Sequence, residues 1–242
     1  HSVTLYERSD RLGGQWNVAA AQEHKEGYAT FTQYLTNGLT KAKGPVILNT
    51  AVTAELMKKV RPDVVVMATG ATPGTLNVPG TSRKNVVHAT DTILNKAPVG
   101  DKVVVVGGRY VGMELAISLA EQGKKVSLVT KNKLGEDGFP LEEEMYSVLR
   151  DKLVQYRVPI YQHSPVREIL DNGVYIYFNN EETLFLEADT VVLAVGARPQ
   201  DALFRELEAA CPEIKVYKVG DCVRPRDAMM AVNEGAKVAR EI

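Results

Sequence analysis

Cysteine is nearly absent from this chain: Cys211 and Cys222 are the two among 242 residues. Two thiols cannot build a disulfide framework or a four-ligand zinc site, and the lack of any Cys-x-x-Cys excludes a dithiol relay. A reducing cytoplasm is the expected setting. No apolar run approaches the roughly 20 residues of a bilayer span. The opening His1-Ser2-Val3-Thr4-Leu5 has neither the basic stretch nor the cleavage site of a secretory signal. Neither sign of charge is in excess, since 29 Lys and Arg face 30 Asp and Glu for a formal net charge of −1. Electrostatics therefore offers no reason to expect nucleic acid or an anionic membrane as partner. Apolar residues make up 45% of the chain, enough for real cores in one large or two ordinary domains.

The stretch from Val103 to Glu114 organises the rest. Val103-Val104-Val105-Val106 reads as a buried parallel strand, and Met113, Leu115, Ala116, Leu119 and Ala120 as a helical face. Between them lies Gly107-Gly108-Arg109-Tyr110-Val111-Gly112, a glycine-rich turn that would aim backbone N–H groups and a helix N-terminus at a pyrophosphate. The fingerprint G-x-G-x-x-G has glycine at its first and last slots here and Arg109 at its middle one. Two readings of Arg109 stay open: its side chain obstructs a dinucleotide, or it folds outward and pairs with phosphates. Gly123 would cap the helix, and strand Lys125–Thr130 completes a βαβ half. That strand ends on Thr130-Lys131, where an NAD-specific fold would carry an acid. Lys131 and Lys133 either face a 2′-phosphate of NADP or are two solvated loop lysines.

The remaining elements follow from periodicity. Val3–Glu7 is a short strand, and residues 28–39 form a helix with Phe31, Tyr34, Leu35 and Leu39 on one face. Val46–Leu48 is a strand and Val52–Val60 a short helix. Val64–Ala68 is a strand expected to be buried on both faces, running into Thr69-Gly70-Ala71-Thr72-Pro73. The stretch from Val86 to Gly100 reads as a connector with one short helix near Asp91–Leu94. Leu141–Tyr156 is an amphipathic helix with Leu141, Met145, Val148, Leu149 and Leu153 on its apolar face. Val158–Tyr161 is a strand. Val166–Leu170, Val174–Phe178 and Leu184–Leu186, separated by Asp171-Asn172-Gly173 and Asn179-Asn180, make a three-stranded antiparallel meander. Its Tyr175, Tyr177 and Phe178 are sheet packing, not a base-stacking surface. Thr190–Pro199, with Gly196, repeats the pattern of Val64–Pro73, which indicates two related modules. Lys215–Val219 and a helix from Asp227 to Ile242 flank Gly220-Asp221-Cys222.

Several of these runs resemble the FAD motifs of flavoprotein reductases with two dinucleotide domains. Glu7-Arg8, then Gly13-Gly14-Gln15, is similar to the second FAD motif: Glu7 would accept bonds from the adenosine ribose, and the paired glycines would let the chain pass close to the cofactor. Read alone, Glu7 is equally a solvated strand end. Ala68-Thr69-Gly70 with Pro73 resembles the turn where the chain leaves the FAD domain. Gly220-Asp221 resembles the third motif, whose aspartate bonds a ribityl hydroxyl. The helix that follows would direct its dipole at the flavin; read alone, Asp221 is a turn cap.

Together with Val192–Pro199, Pro225-Arg226 and Glu234-Gly235, these runs cover nearly the whole chain and resemble the C-terminal portion of the NADH:flavin oxidoreductase group, the 2,4-dienoyl-CoA reductase, 2-enoate reductase and trimethylamine dehydrogenase type. The resemblance implies an α/β fold with two Rossmann-like dinucleotide-binding domains of glutathione-reductase-like architecture and a meander, the first βα unit of the FAD domain being expected to be missing. Residues 1–85 and 201–242 would be the FAD-binding domain and 86–200 the NAD(P)-binding domain. Implied cofactors are FAD and NAD(P)H, with FMN and a 4Fe-4S cluster in an N-terminal (β/α)8 barrel outside this sequence; homo-oligomerisation stays open. The implied function is passage of electrons from NAD(P)H through FAD to that barrel, with no catalytic side chain, no metal ligand in this chain and no enoate reduction expected of the fragment alone. The alternative is a non-catalytic adenine-nucleotide-holding domain in which Arg109 prevents use of NAD(P)H.

Overall fold

The computed structural model describes residues 1–23, 25–135, 143–179 and 181–242. The chain divides into two compact units, residues 1–72 with 197–242, and residues 73–196.

The first leg of the first unit runs β1 (Leu5–Tyr6), α1 (Gln15–Ala20), α2 (Glu26–Ala42), β2 (Val46–Ile47), α3 (Ala54–Val60), β3 (Val64–Met67) and β4 (Ala71–Pro73). β1 pairs with β2 in parallel, Leu5 opposite Val46 and Tyr6 opposite Ile47. Thr53 caps α3 by accepting from the Leu56 N–H, so that helix starts where its first orphan donor is satisfied. Alternation along β3 decides its burial: Val65 packs on the core that contains Ala54 and Met57 of α3, whereas Val66 points away and is 44% exposed. The expectation of a strand buried on both faces is corrected on that residue. The helix expected over residues 28–39 is α2, although Phe31, Tyr34 and Leu35 are exposed on it and none of its residues is fully buried. Its packing is aromatic, with Trp16 of α1 lying 4.7 Å from Tyr28 and 5.7 Å from Phe31, ring centre to ring centre.

The second unit holds β5 (Val86–His88), α4 (Ala89–Ile93), β6 (Lys102–Val106), α5 (Tyr110–Glu121), β7 (Lys125–Val129), α6 (Glu143–Gln155), β8 (Ile160–Tyr161), the meander β9 (Val166–Leu170), β10 (Gly173–Phe178) and β11 (Glu182–Glu187), and β12 (Thr190–Leu193). Val86–His88, expected within a connector, is thus an edge strand. The parallel sheet has the order β5-β12-β6-β7-β8, with Thr190 to Leu193 opposite Val103 to Val106 and Lys102 to Val106 opposite Lys125 to Val129. Both faces of β6 are covered. Val103 and Val105 meet Met113, Ala116 and Leu119 of α5 with Leu149 and Leu153 of α6, while Val104 and Val106 meet Val166, Ile169, Val174 and Ile176 of the meander. Burying each such side chain stabilises by about 1.5–3 kcal/mol, which is why this position favours a run of four valines. Lys124 and Gly123 close α5 by donating to Leu119 and Ala120, with Gly123 at φ +84°.

On α6, Leu149 and Leu153 are buried, but Met145 and Val148 are exposed, so its core stripe is narrower than the predicted face. Leu141 and Asn180 lie outside the described residues. In the meander Tyr175 packs on Phe185 at 5.0 Å and Phe178 on Tyr161 at 6.1 Å, and β10 is bulged between Tyr175 and Ile176 against β9.

The chain then completes the first unit with β13 (Ala197–Pro199), α7 (Ala202–Ala210), β14 (Lys215–Lys218), a 3-10 turn over Gly220–Cys222 and α8 (Ala228–Glu241). α7 has no counterpart among the sequence expectations. β14 runs parallel to β3, with Lys215 to Lys218 opposite Val64 to Met67. Met67, Leu207, Cys211, Ile214 and Cys222 form this unit's core with α3. Its parallel strands are two separate two-stranded ladders, β1 with β2 and β3 with β14. The glycines of the two exit turns of the repeat both have positive φ, Gly70 at +71° and Gly196 at +85°, and the strands that follow them, β4 and β13, form a two-stranded ribbon.

Candidate functional site

In the first unit three segments far apart in the chain meet around Gln15. Gln15 Nε2 donates to Asp221 Oδ2 at 3.4 Å across 206 positions, and a Cβ placed on Gly70 would lie 3.9 Å from the same Nε2. The turn that carries Gln15 is made by glycines: Gly13 has φ +112° and Gly14 φ +49° with ψ −126°, backbone that L side chains rarely adopt. No atom lies within 4 Å of a Cβ placed on Gly14. Gly14 is therefore required by its backbone conformation alone, and the space above it is open. Gly13 is confined as well, because a Cβ there would meet Asn17 Oδ1 at 2.6 Å while Asn17 Nδ2 donates to Leu12 O.

Glu7 follows β1 directly, and its Oε1 accepts from both the N–H and the hydroxyl of Ser9 at 2.8 Å. Arg8 beside it is exposed. Gln200, with its amide oriented to satisfy both neighbours, accepts from Arg8 Nη1 at 3.0 Å and donates to Thr69 O at 3.2 Å. Thr69 Oγ1 donates to Gln200 O at 2.6 Å, and the Gln200 N–H donates to Gly70 O. Gln200 thus ties Arg8 to the turn after Ala68. Neither its residue type nor its neighbours in sequence flag it, and only the β4–β13 ribbon explains its place.

Asp221 sits in the 3-10 turn, which Gly220 enters at φ +68°. Its Oδ1 accepts from the Arg226 N–H at 3.1 Å. Glu234 Oε2 accepts from the Gly220 N–H at 2.7 Å, and its Oε1 takes a short ion pair from Arg226 Nη2. The Arg226 guanidinium, then the Gly220 N–H, hold the Glu234 carboxyl below the usual carboxylate range. Cys222 is a packing residue whose Sγ donates to Met67 O and Val219 O, and both cysteines are buried and free.

In the second unit the glycine turn after β6 has its own geometry. Gly107 has φ +125°, and a Cβ there would lie 2.2 Å from Ala194 O. One on Gly108 would lie 2.8 Å from Thr130 Oγ1, and one on Gly112 just 1.9 Å from Gly107 O. All three glycines are therefore demanded by packing. Arg109 is different: at φ −101° and ψ −174° it has extended backbone that any residue adopts, and it is the N-cap position of α5 without capping it by its side chain. The middle slot is the one that the fold itself leaves free of any need for glycine. Tyr110 and Val111 open α5, with Val111 46% exposed. Lys131 and Lys133 are exposed beyond β7, and Gly196 follows β12.

The family described as pyridine nucleotide-disulphide oxidoreductase matches residues 4–235. The chain belongs to this family. It is 30% identical to the cinnamate reductase of Clostridium sporogenes and 31% identical to an NADH oxidase of Thermoanaerobacter brockii, over 100% of its own length and 36% and 37% of theirs. Among solved structures it is similar to a 2-naphthoyl-CoA reductase with a TM-score of 0.90 and 31% identity, over 100% of this chain and 36% of that one. The chain therefore spans little more than a third of the length of the relatives it matches. The chain has the α/β fold of two dinucleotide-binding modules with a meander, and the family implies FAD and NAD(P)H as ligands. The first unit fits a flavin dinucleotide by an open glycine turn and two hydrogen-bond acceptors for hydroxyls, the strand-end carboxylate of Glu7 and Asp221 Oδ2, which is held by one long bond from an exposed amide. Among the described residues no helix is long and apolar enough to cross a membrane.

Proposed function

We propose that this chain is the NAD(P)H-to-FAD module of a larger reductase of the enoate or dienoyl type, with an FMN and iron–sulfur barrel elsewhere in the same protein as its electron acceptor. The observation that carries the reading is the convergence of Gly13–Gln15, Thr69–Gly70 and Asp221 in one unit. Glu7 would accept the ribose hydroxyls of FAD, with Ser9 fixing its carboxylate. Gly14 would leave room for the diphosphate and ribityl chain, and Asp221 Oδ2 would accept a ribityl hydroxyl. The flavin, when bound, supplies hydride acceptance and onward electron release. The protein supplies position, so no side-chain acid or base is called for.

In the second unit, Gly107 to Gly112 would present the α5 N-terminus to the diphosphate of NAD(P)H. Arg109 favours a second reading. The slot that packing leaves free of a glycine requirement is where a ligand would need one, and this chain fills it with a guanidinium. The module would then hold an adenine nucleotide without passing hydride.

The test is to titrate the chain with FAD, following flavin fluorescence, and then to add NADH or NADPH without oxygen and follow flavin absorbance. Binding followed by bleaching is expected. Binding without bleaching by either nucleotide selects the second reading, and failure to bind FAD refutes the assignment of the first unit.

A further inference from the structure

The loop that carries Asp221 closes into a hydrogen-bonded ring through Arg226 and Glu234, two residues to which the proposed function gives no cofactor contact. Gly220 donates its N–H to Glu234 Oε2 at 2.7 Å, Arg226 Nη2 pairs with Glu234 Oε1, and the Arg226 N–H donates to Asp221 Oδ1 at 3.1 Å. The peptide bond from Gly220 to Asp221 completes the ring. Arg226 Nε also donates to Arg224 O at 3.2 Å, and the Val223 and Arg224 N–H groups both donate to Gly220 O, which folds residues 220–226 on themselves. The pair is not a solvated surface contact: the Arg226 and Glu234 side chains are 16% and 27% exposed. Glu234 stands in the middle of α8, a rigid element anchored at its start by Asp227, which accepts from the Met230 N–H at 2.8 Å. Gly220 also packs closely on that helix, since a Cβ on it would lie 3.2 Å from the Ala231 Cβ.

The ring treats the two oxygens of Asp221 differently. Oδ1 is spent on the Arg226 N–H. Among the described residues Oδ2 meets only the long contact from Gln15 and stays available. We infer that Arg226 and Glu234 are positioning residues that clamp the Asp221 turn to α8 and so fix which carboxylate oxygen is presented to the ribityl hydroxyl of FAD. The inference rests on the FAD assignment of the first unit. Because the guanidinium touches Glu234 and not Asp221, the pair acts through the backbone, and a change in it is felt at Asp221 without altering the carboxylate itself. A charge-assisted hydrogen bond that holds a loop in place contributes enough to change affinity by roughly tenfold.

The test uses Glu234→Ala, Glu234→Gln and Arg226→Lys in the full chain. The first readout is amide hydrogen exchange at Gly220 and Arg226 without FAD: Glu234→Ala is expected to lower protection at both by about tenfold, and Glu234→Gln by less, because the amide oxygen still accepts from Gly220. The second is FAD affinity in a double-mutant cycle with Asp221→Ala. Glu234→Ala and Asp221→Ala should each weaken FAD by about tenfold and the pair by little more than either, since the clamp works only through Asp221. Arg226→Lys, which can still reach Glu234, should retain most of the affinity. Unchanged exchange in Glu234→Ala, or an additive loss of about a hundredfold in the double variant, would overturn the clamp. If the unsubstituted chain binds no FAD, the flavin assignment fails and the exchange comparison decides the clamp alone.

Discussion

Replacing Gly112 by alanine tests the packing logic of the second unit most directly. The added Cβ would lie 1.9 Å from the carbonyl oxygen of Gly107, about 1.5 Å short of ordinary contact. That oxygen is backbone, on a glycine held at φ +125° beneath Ala194, so it cannot turn aside as a flexible side chain would. The relief must come from α5, which carries the fully buried Met113 and Ala116 onto Val103 and Val105. Lifting a helix from its sheet by even 0.5–1 Å forfeits about a quarter to a half of each dispersion contact beneath it. We therefore expect a loss of about 3 kcal/mol, at the upper end of ordinary overpacking costs. That is a large share of the roughly 5–15 kcal/mol that stabilises a domain, and it corresponds to a fall in Tm of about 10 °C for a unit of this size. Thermal unfolding followed by far-UV circular dichroism measures it, with Gly235→Ala as the control. Gly235 lies within α8 with no atom near a would-be Cβ, so alanine there should leave Tm unchanged or raise it, by up to about 1 kcal/mol of helix propensity. A Gly112→Ala variant that loses less than about 1 kcal/mol would refute the close-packing argument.

The other predictions concern the two nucleotide turns and the end of the chain. Arg109→Gly should tighten NADH or NADPH binding by calorimetry if the guanidinium obstructs the turn, and equal affinities in both proteins reject obstruction. Lys131→Glu should weaken NADPH more than NADH, and equal effects reject a 2′-phosphate contact. Asp227→Ala should cost α8 about 1 kcal/mol, read as a lower Tm, because it removes the acceptor of the Met230 N–H. The stabilisation from Glu234, whose carboxyl is held below its ordinary value of 4.5, is fully present above that pH and is lost as pH falls through the folded value. Glu234→Gln should therefore be less stable than the parent near about pH 7 and converge with it in acid, and parallel stability curves would contradict this.

Residue pattern and tertiary structure divided the work in a physically intelligible way. A strand or helix that buries one face writes its period into the residues, so the β6–α5–β7 unit, the meander and the repeated exit turns at Gly70 and Gly196 were legible from the chain alone. Periodicity does not say whether a partner covers the face: α2 has a helical apolar pattern but leaves Phe31, Tyr34 and Leu35 exposed, and Val66 stands exposed in an all-apolar run. Nor can composition distinguish a glycine needed by a ligand from one needed by its neighbours.

Local sequence determined the turns, the caps and the buried parallel strands of this protein, because their physics acts within a few residues. Only the tertiary structure decided what those turns meet: Gln15 reaching Asp221 across 206 positions, Gln200 bridging Arg8 to Thr69, and Arg226 and Glu234 closing a ring around Gly220. Such contacts depend on where chain topology returns each segment, and no local periodicity records that.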